Sequence, residues 1–181
     1  MNIFHLDYSP QLSAMHQHDK HVVKMTLETA QLVSQAIRVV PAWRDTFGDV
    51  RTLYKTTHQH HPSAKWARQT VPNLYWLCKH GVYLAEEYSH RFWRTHKSLA
   101  IIRQVLDIVP FLPATNCDDL TTFAQAMPDD CKRKCPVQGY RHYYLTHKVS
   151  DESQWTDRRS DLPSWLFSHA LFPIKSLEVK G

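Results

Sequence analysis

The chain has 181 residues, long enough for one domain whose apolar core needs neither disulfide nor metal to hold it. Hydrophobic residues make up 43% and charged residues 22%, a globular balance that excludes a disordered chain; no apolar run is long enough to span a bilayer. Lys and Arg outnumber Asp and Glu by 22 to 17, and with 13 His, six Trp and eight Tyr this suits a polyanion whose bases stack on aromatic rings.

Residues 1–10 read as a short extended segment ending at Pro10. They lack a basic region followed by an apolar stretch, so the expectation is a cytoplasmic protein without a signal peptide, whose four cysteines stay reduced. From Leu12 to Val40 the pattern is helical. Val23, Leu27, Ala30, Val33 and Ile37 recur at spacings of three and four and predict one buried stripe, stopped by Pro41. Residues 41–62 read as irregular. Ser63–Thr70 predicts a short helix, Asn73–His96 a long one and Ser98–Val109 another, closed by Pro110. Residues 110–136 are proline-bearing loop, and Val137–Val149 is a helix with an aromatic and basic face. The segment from Asp151, with Trp155, Pro163, Trp165 and Phe167, is too apolar for a free tail and is expected to pack on the body. Nothing alternates at period two. The expected fold is all-α: one compact multi-helix domain over residues 1–181, with 151–181 as a packed tail.

Five constellations bear chemistry. On a helix, His21, Lys24, Glu28 and Gln31 fall at i, i+3, i+7 and i+10 and share a face. An amine one turn from a carboxylate can attack a sugar C1′ or a carbonyl to form an imine while the carboxylate moves the protons. A solvated Lys–Glu pair is the plain alternative, though Lys ahead of Glu is the weaker order for helix support. His16-Gln17-His18-Asp19 suggests metal ligands, but on a helix His16 and His18 point about 200° apart, and no H-E-x-x-H or H-x-E with C-x-x-C accompanies them. His61, directly before Pro62, is placed to meet an anion at a helix start, or simply belongs to a polar loop. Glu87 and Arg91 make an intrahelical pair, unless Arg91, Arg94 and His96 face phosphates with Trp93 stacking. Tyr140-Arg141-His142-Tyr143-Tyr144, with Lys148, suits bases and backbone, or a packed helix. Cys131 and Cys135 lack a second ligand pair and read as free thiols. With four glycines there is no phosphate-cradling loop.

The runs LDYSP, DKHVVKMTLETAQLV, THQHHPSAKWAR, EEYSHRFWRTH, FAQAMPDD and YRHYY, in this order over about residues 1–148, resemble a family of small proteins frequent in tailed-phage genomes. The pattern D-[KR]-x3-[KR]-x3-E-x2-Q, then HP-x3-W, then E-x3-R, is further similar to pyrimidine-dimer DNA glycosylases of the phage endonuclease-V type. That resemblance implies a compact all-α protein acting on DNA. An amine would form an imine with the damaged sugar, and a glutamate, here Glu28, would serve the proton transfers before strand nicking by elimination. The family's amine belongs to a small residue exposed once Met is removed. Here the second residue is Asn2, before which Met is retained, so the amine falls to Met1, Lys20 or Lys24.

The reading is therefore an N-glycosylase with lyase-like activity on modified or damaged DNA. Its catalytic set is Glu28, Lys24 and Met1, and its substrate-binding set is Asp19, Lys20, His21, Gln31, His61, Trp66, Arg91, His96 and Arg141. No cofactor, metal or membrane is expected; DNA or a nucleotide is the partner. Two alternatives stand beside it: a nucleic-acid- or nucleotide-binding phage protein without chemistry, and a metal-dependent nucleotide enzyme using His16, His18, His61 and Glu28.

Overall fold

In the computed structural model, which describes residues 1–115, 117–158 and 161–167, each helix start follows from local sequence. Ser9 opens α1 (Pro10–Met15) by accepting the Leu12 N–H, with proline in the first turn. α2 (Asp19–Val39) ends where Val40 is forced extended ahead of Pro41, which itself starts α3 (Pro41–Phe47). His61 caps α4 (Pro62–Ala67) through a ring nitrogen. Thr70 caps α5 (Val71–Phe92) by accepting the Asn73 N–H at 3.1 Å. α6 (Leu99–Ile108), α7 (Pro136–His147) and the short α8 (Ser164–Phe167) complete an all-α domain, with no strand among the described residues. No helix there is long and apolar enough to cross a membrane.

The two longest helices, α2 and α5, run antiparallel through the centre. Arg91, late in α5, bonds Asp19 at the start of α2, and mid-helix the Thr29 and Ile102 side chains press onto Gly81. A Cβ there would lie 2.5 Å from Thr29 Cγ2 and 3.0 Å from Ile102 Cδ1, so only glycine lets α2, α5 and α6 meet this closely. The apolar interior has two parts. One gathers Leu32, Val33, Trp43, Leu74, Leu77 and Ile102. The other gathers Val22, Met25, Leu84, Tyr140, Tyr144 and Trp155. The extended N-terminal segment runs along their seam, sending Ile3 into the first and Phe4 and Leu6 into the second.

Three expectations need correction. The helix predicted from Leu12 to Val40 is broken at His16–His18. There the His18 N–H leaves the helical ladder and donates to the Tyr144 hydroxyl at 3.0 Å, and His18 itself is extended. The buried stripe of α2 is rotated: Ala30, Val33 and Ile37 are buried as expected, but Val23 and Leu27 are exposed, and Val22, Met25, Thr26 and Thr29 take the inner face. Packing against α5 on one side and the aromatic cluster on the other shifts the inward arc by about one residue, roughly 100°. Residues 41–62 are not wholly irregular, because Pro41 starts a helix that Trp43 anchors by burial and by donating its indole N–H to Pro113 O. The apolar tail does pack as far as it is described: Trp155 and Leu166 are buried, and residues 168–181 lie outside the described residues.

Candidate active site

The first turns of α2 and the start of the chain enclose a polar cavity of about 280 Å³. Glu28 is its centre. One carboxylate oxygen accepts the Asn2 backbone N–H at 2.9 Å and lies 3.7 Å from the Met1 α-amine; the other lies 3.6 Å from Lys24 Nζ. His21, His61, Tyr143 and Lys148 line the walls. Three cationic groups, the α-amine, Lys24 and Lys148, thus face one carboxylate, and the surplus favours an anionic ligand.

The chain start is fixed from two sides. The Met1 side chain is only 3% exposed and packs on the first apolar cluster, so the amine alone points at Glu28. Asn2 is tied down by its amide: Nδ2 donates to Ala126 O at 2.9 Å, while Oδ1 accepts the Ile3 N–H at 2.8 Å and sits near the Tyr140 and Ser63 hydroxyls. An amine on a free terminus would sample many positions; here it is held beside the carboxylate before any ligand arrives.

Both cavity histidines are kept neutral. Burial drives His21 down to about 3, helped by the neighbouring His18, Lys148 and Lys24. Burial lowers His61 too, the terminal ammonium and His58 adding to it while Glu28 opposes. His61 Nδ1 accepts the Ser63 N–H at 3.2 Å, which puts its proton on Nε2.

The structure therefore brings together Met1, Lys24, Glu28, His21 and His61 out of the residues selected from sequence. It places the others elsewhere. Arg91 is sealed inside the protein. Its five N–H donors go to Met15 O, Gln17 O, Asp19 Oδ1 and twice to Glu87 Oε2, so none is left for a phosphate. Asp19 belongs to the same network and also accepts from Thr156. Lys20 is exposed and pairs with Glu152 at 3.5 Å, and Gln31 does not line the cavity. Trp66 is buried among His5, Trp76 and Phe123. His96 accepts the Ser98 N–H, and Arg141 bonds Leu6 O and Asp7. For Arg91, Asp19, Lys20, Trp66 and Arg141, nearby backbone carbonyls, hydroxyls, carboxylates or aromatic rings supply the partners that a substrate had been expected to supply. His16 and His18 are buried, and among the described residues no group of three or more His, Cys, Asp or Glu is arranged to hold a metal ion.

Sequence reasoning did not select Asn2, Tyr143 or Lys148 as site residues. Tyr143 and Lys148 carried a signal, the aromatic and basic face of α7; Asn2 had none, because the groups that tie its amide to the body, on Ser63, Ala126 and Tyr140, lie more than sixty residues away. Larger hollows among the described residues lie beside Tyr8 and Cys135, at about 630 Å³, and beside Tyr75 and Pro110, at about 410 Å³. Neither gathers an amine, a carboxylate and imidazoles at one point.

No curated protein and no solved structure matches the chain. The model of a family described as pyrimidine dimer DNA glycosylase matches residues 1–101, which include Met1, His21, Lys24, Glu28 and His61. With more than half of its length matched, the chain belongs to the pyrimidine dimer DNA glycosylase family.

Proposed function

We propose that this protein is a DNA glycosylase with lyase activity that removes damaged pyrimidines, with the Met1 α-amine as nucleophile and Glu28 as the proton-transfer group. The observation that carries this reading is an α-amine held 3.7 Å from a mostly buried carboxylate in a cavity with surplus positive charge. Lys24 is as near to Glu28 but two-thirds exposed. α-Amines as a class also give up their proton more readily than lysines, at about 8 against about 10.4, and only the free base attacks.

In the proposed reaction the amine nitrogen bonds to the sugar C1′ as the C1′–N1 bond to the base breaks. The base leaves with that electron pair and takes up a proton. The nitrogen then gives up a proton, its lone pair forms the C1′=N bond as the C1′–O4′ bond opens, and O4′ keeps that bond's electron pair and takes up a proton, giving the imine. Glu28 then takes a proton from C2′, and the 3′-phosphate leaves with the C3′–O electron pair, nicking the strand. Lys24 and Lys148 supply cationic contacts for the flanking phosphates, and His61 an N–H donor. A protein with this activity works where DNA is, in the cytoplasm of a bacterial host.

The test is borohydride trapping on abasic and UV-irradiated DNA, with mass spectrometry of the adduct. The expected result is one covalent adduct on the Met1 nitrogen, lost when the amine is acetylated. An adduct on Lys24 would move the nucleophile. No adduct with either DNA would overturn the reading in favour of binding without chemistry.

A further inference from the structure

Tyr144 is a buried phenol on α7 that the proposed reaction does not use, and its hydroxyl has two neighbours. The His18 backbone N–H donates to it at 3.0 Å, and His21 Nδ1 lies 2.8 Å away. A backbone N–H can only donate, so the first contact fixes the phenol oxygen as acceptor there. The phenol's own proton then needs an acceptor. Among the described residues the only one in reach is His21 Nδ1. Were Nδ1 the protonated nitrogen, the hydroxyl would accept twice and its proton would be buried without a partner, the costlier arrangement. Burial keeps the phenol protonated, raising it well above its ordinary range.

The His21 ring is also held in place. Phe4 stacks on it at 4.6 Å and 15°, and His18 stacks at 4.0 Å and 27°. Its Nε2 has no protein partner among the described residues and is not among the buried atoms, and the ring lines the cavity beside Lys24 and Glu28. The cationic neighbours Lys24 and Lys148, together with His18, oppose a second proton.

From this geometry we infer that Tyr144 is a positioning residue: it holds His21 in the Nε2–H form and so gives the cavity a fixed, uncharged hydrogen-bond donor for a substrate oxygen that gains negative charge as the glycosidic bond breaks. The inference rests on the glycosylase reading for the identity of that oxygen, a carbonyl of the departing base; the tautomer rests on the protein alone. A neutral donor suits this position. A charged imidazolium would add to three cations already around one carboxylate, whereas a neutral N–H strengthens only as charge develops.

Three measurements test it. Long-range ¹⁵N–¹H correlation spectra at neutral pH should show His21, assigned by its loss in H21Q, with a protonated Nε2 and an unprotonated Nδ1; Y144F should shift it towards a mixture of tautomers. On abasic and UV-irradiated DNA, Y144F should lower kcat about tenfold or more with KM within about twofold, the pattern of a contact made in the transition state. H21F should lose about 10²–10³ in kcat, as removal of a single transition-state donor does, while H21Q, whose amide N–H reaches the Nε2 position, should recover much of that loss. A protonated Nδ1 in the wild type, or H21F as active as the wild type, would overturn the proposal. If Y144F fails to fold, the wild-type spectrum and the H21Q–H21F pair still decide it. A wild type that forms no borohydride adduct would instead overturn the glycosylase reading, and the spectra would still decide the tautomer.

Discussion

Helix α2 carries two ion clusters, one at its first residue and one two turns further on, and they are opposites. At Asp19 the charges are sealed: Arg91 fills all five donors, Glu87 receives Arg91 and a two-pronged Arg158, and Asp19 takes the Thr156 N–H and hydroxyl as well. At Glu28 the cluster is open and unbalanced, with an amine and a lysine at 3.6–3.7 Å rather than at hydrogen-bond length. Arginine paired with carboxylates holds α1, α2, α5 and the 155–158 segment together. Loosely matched amines around a carboxylate leave capacity for a substrate. Ion pairing alone therefore does not single out Glu28 for the proposed reaction; the unfilled donors facing its cavity do.

Substitutions should split along that line. Glu28→Gln removes the proton acceptor but keeps the shape, so kcat should fall by about 10²–10⁴ with little change in melting temperature. A fully active variant would end the assignment of Glu28. Arg91→Met should do the reverse, leaving Glu87 and Asp19 without their buried partner and costing about 3–5 kcal/mol in chemical denaturation, with activity per folded molecule retained. Loss of activity in folded Arg91→Met would mean that the two clusters are coupled.

Acid probes the histidines of both regions. His16 and His18, near the sealed cluster, are lowered by burial to about 4, and His21, at the open one, to about 3. Because each folded value lies below the unfolded one near 6.5, the unfolded chain binds more protons as pH falls. Stability is complete above about pH 6.5 and is lost as pH falls to about 4 for His16 and His18 and to about 3 for His21, by up to about 1.4 kcal/mol per pH unit for each histidine. Urea melts at pH 7, 6 and 5 should show the loss, and a flat profile would refute the burial argument. The smallest effect belongs to Lys20→Ala: its exposed pair with Glu152 should leave both melting temperature and kcat unchanged within error.

One half of the candidate site is legible in the sequence. His21, Lys24 and Glu28 lie on one helix, where the 3.6-residue period alone brings them to one face. The other half depends on long-range packing. Met1 and Asn2 reach Glu28 only because residues 124–126, Ser63 and Tyr140 hold the chain start, contacts with no local pattern. Arg91 misled for a related reason: E-x3-R reads the same on an exposed helix as on a buried one, and what buries it is the α1–α2 junction. That junction was itself hidden, since no glycine or proline marks it. The break is enforced by a tyrosine on α7.

Gly81 gives the catalytic reading an adjustment point on the far side of the helix. Its missing side chain sets how closely α5 holds α2 at Thr29, the residue next to Glu28 in sequence. A methyl group there would push on α2 from behind, moving the carboxylate relative to an amine anchored by a different part of the protein. In the proposed reaction the spacing of amine and carboxylate is thus tuned by a close contact at a glycine that no substrate touches. An alanine scan of the cavity walls would never find it.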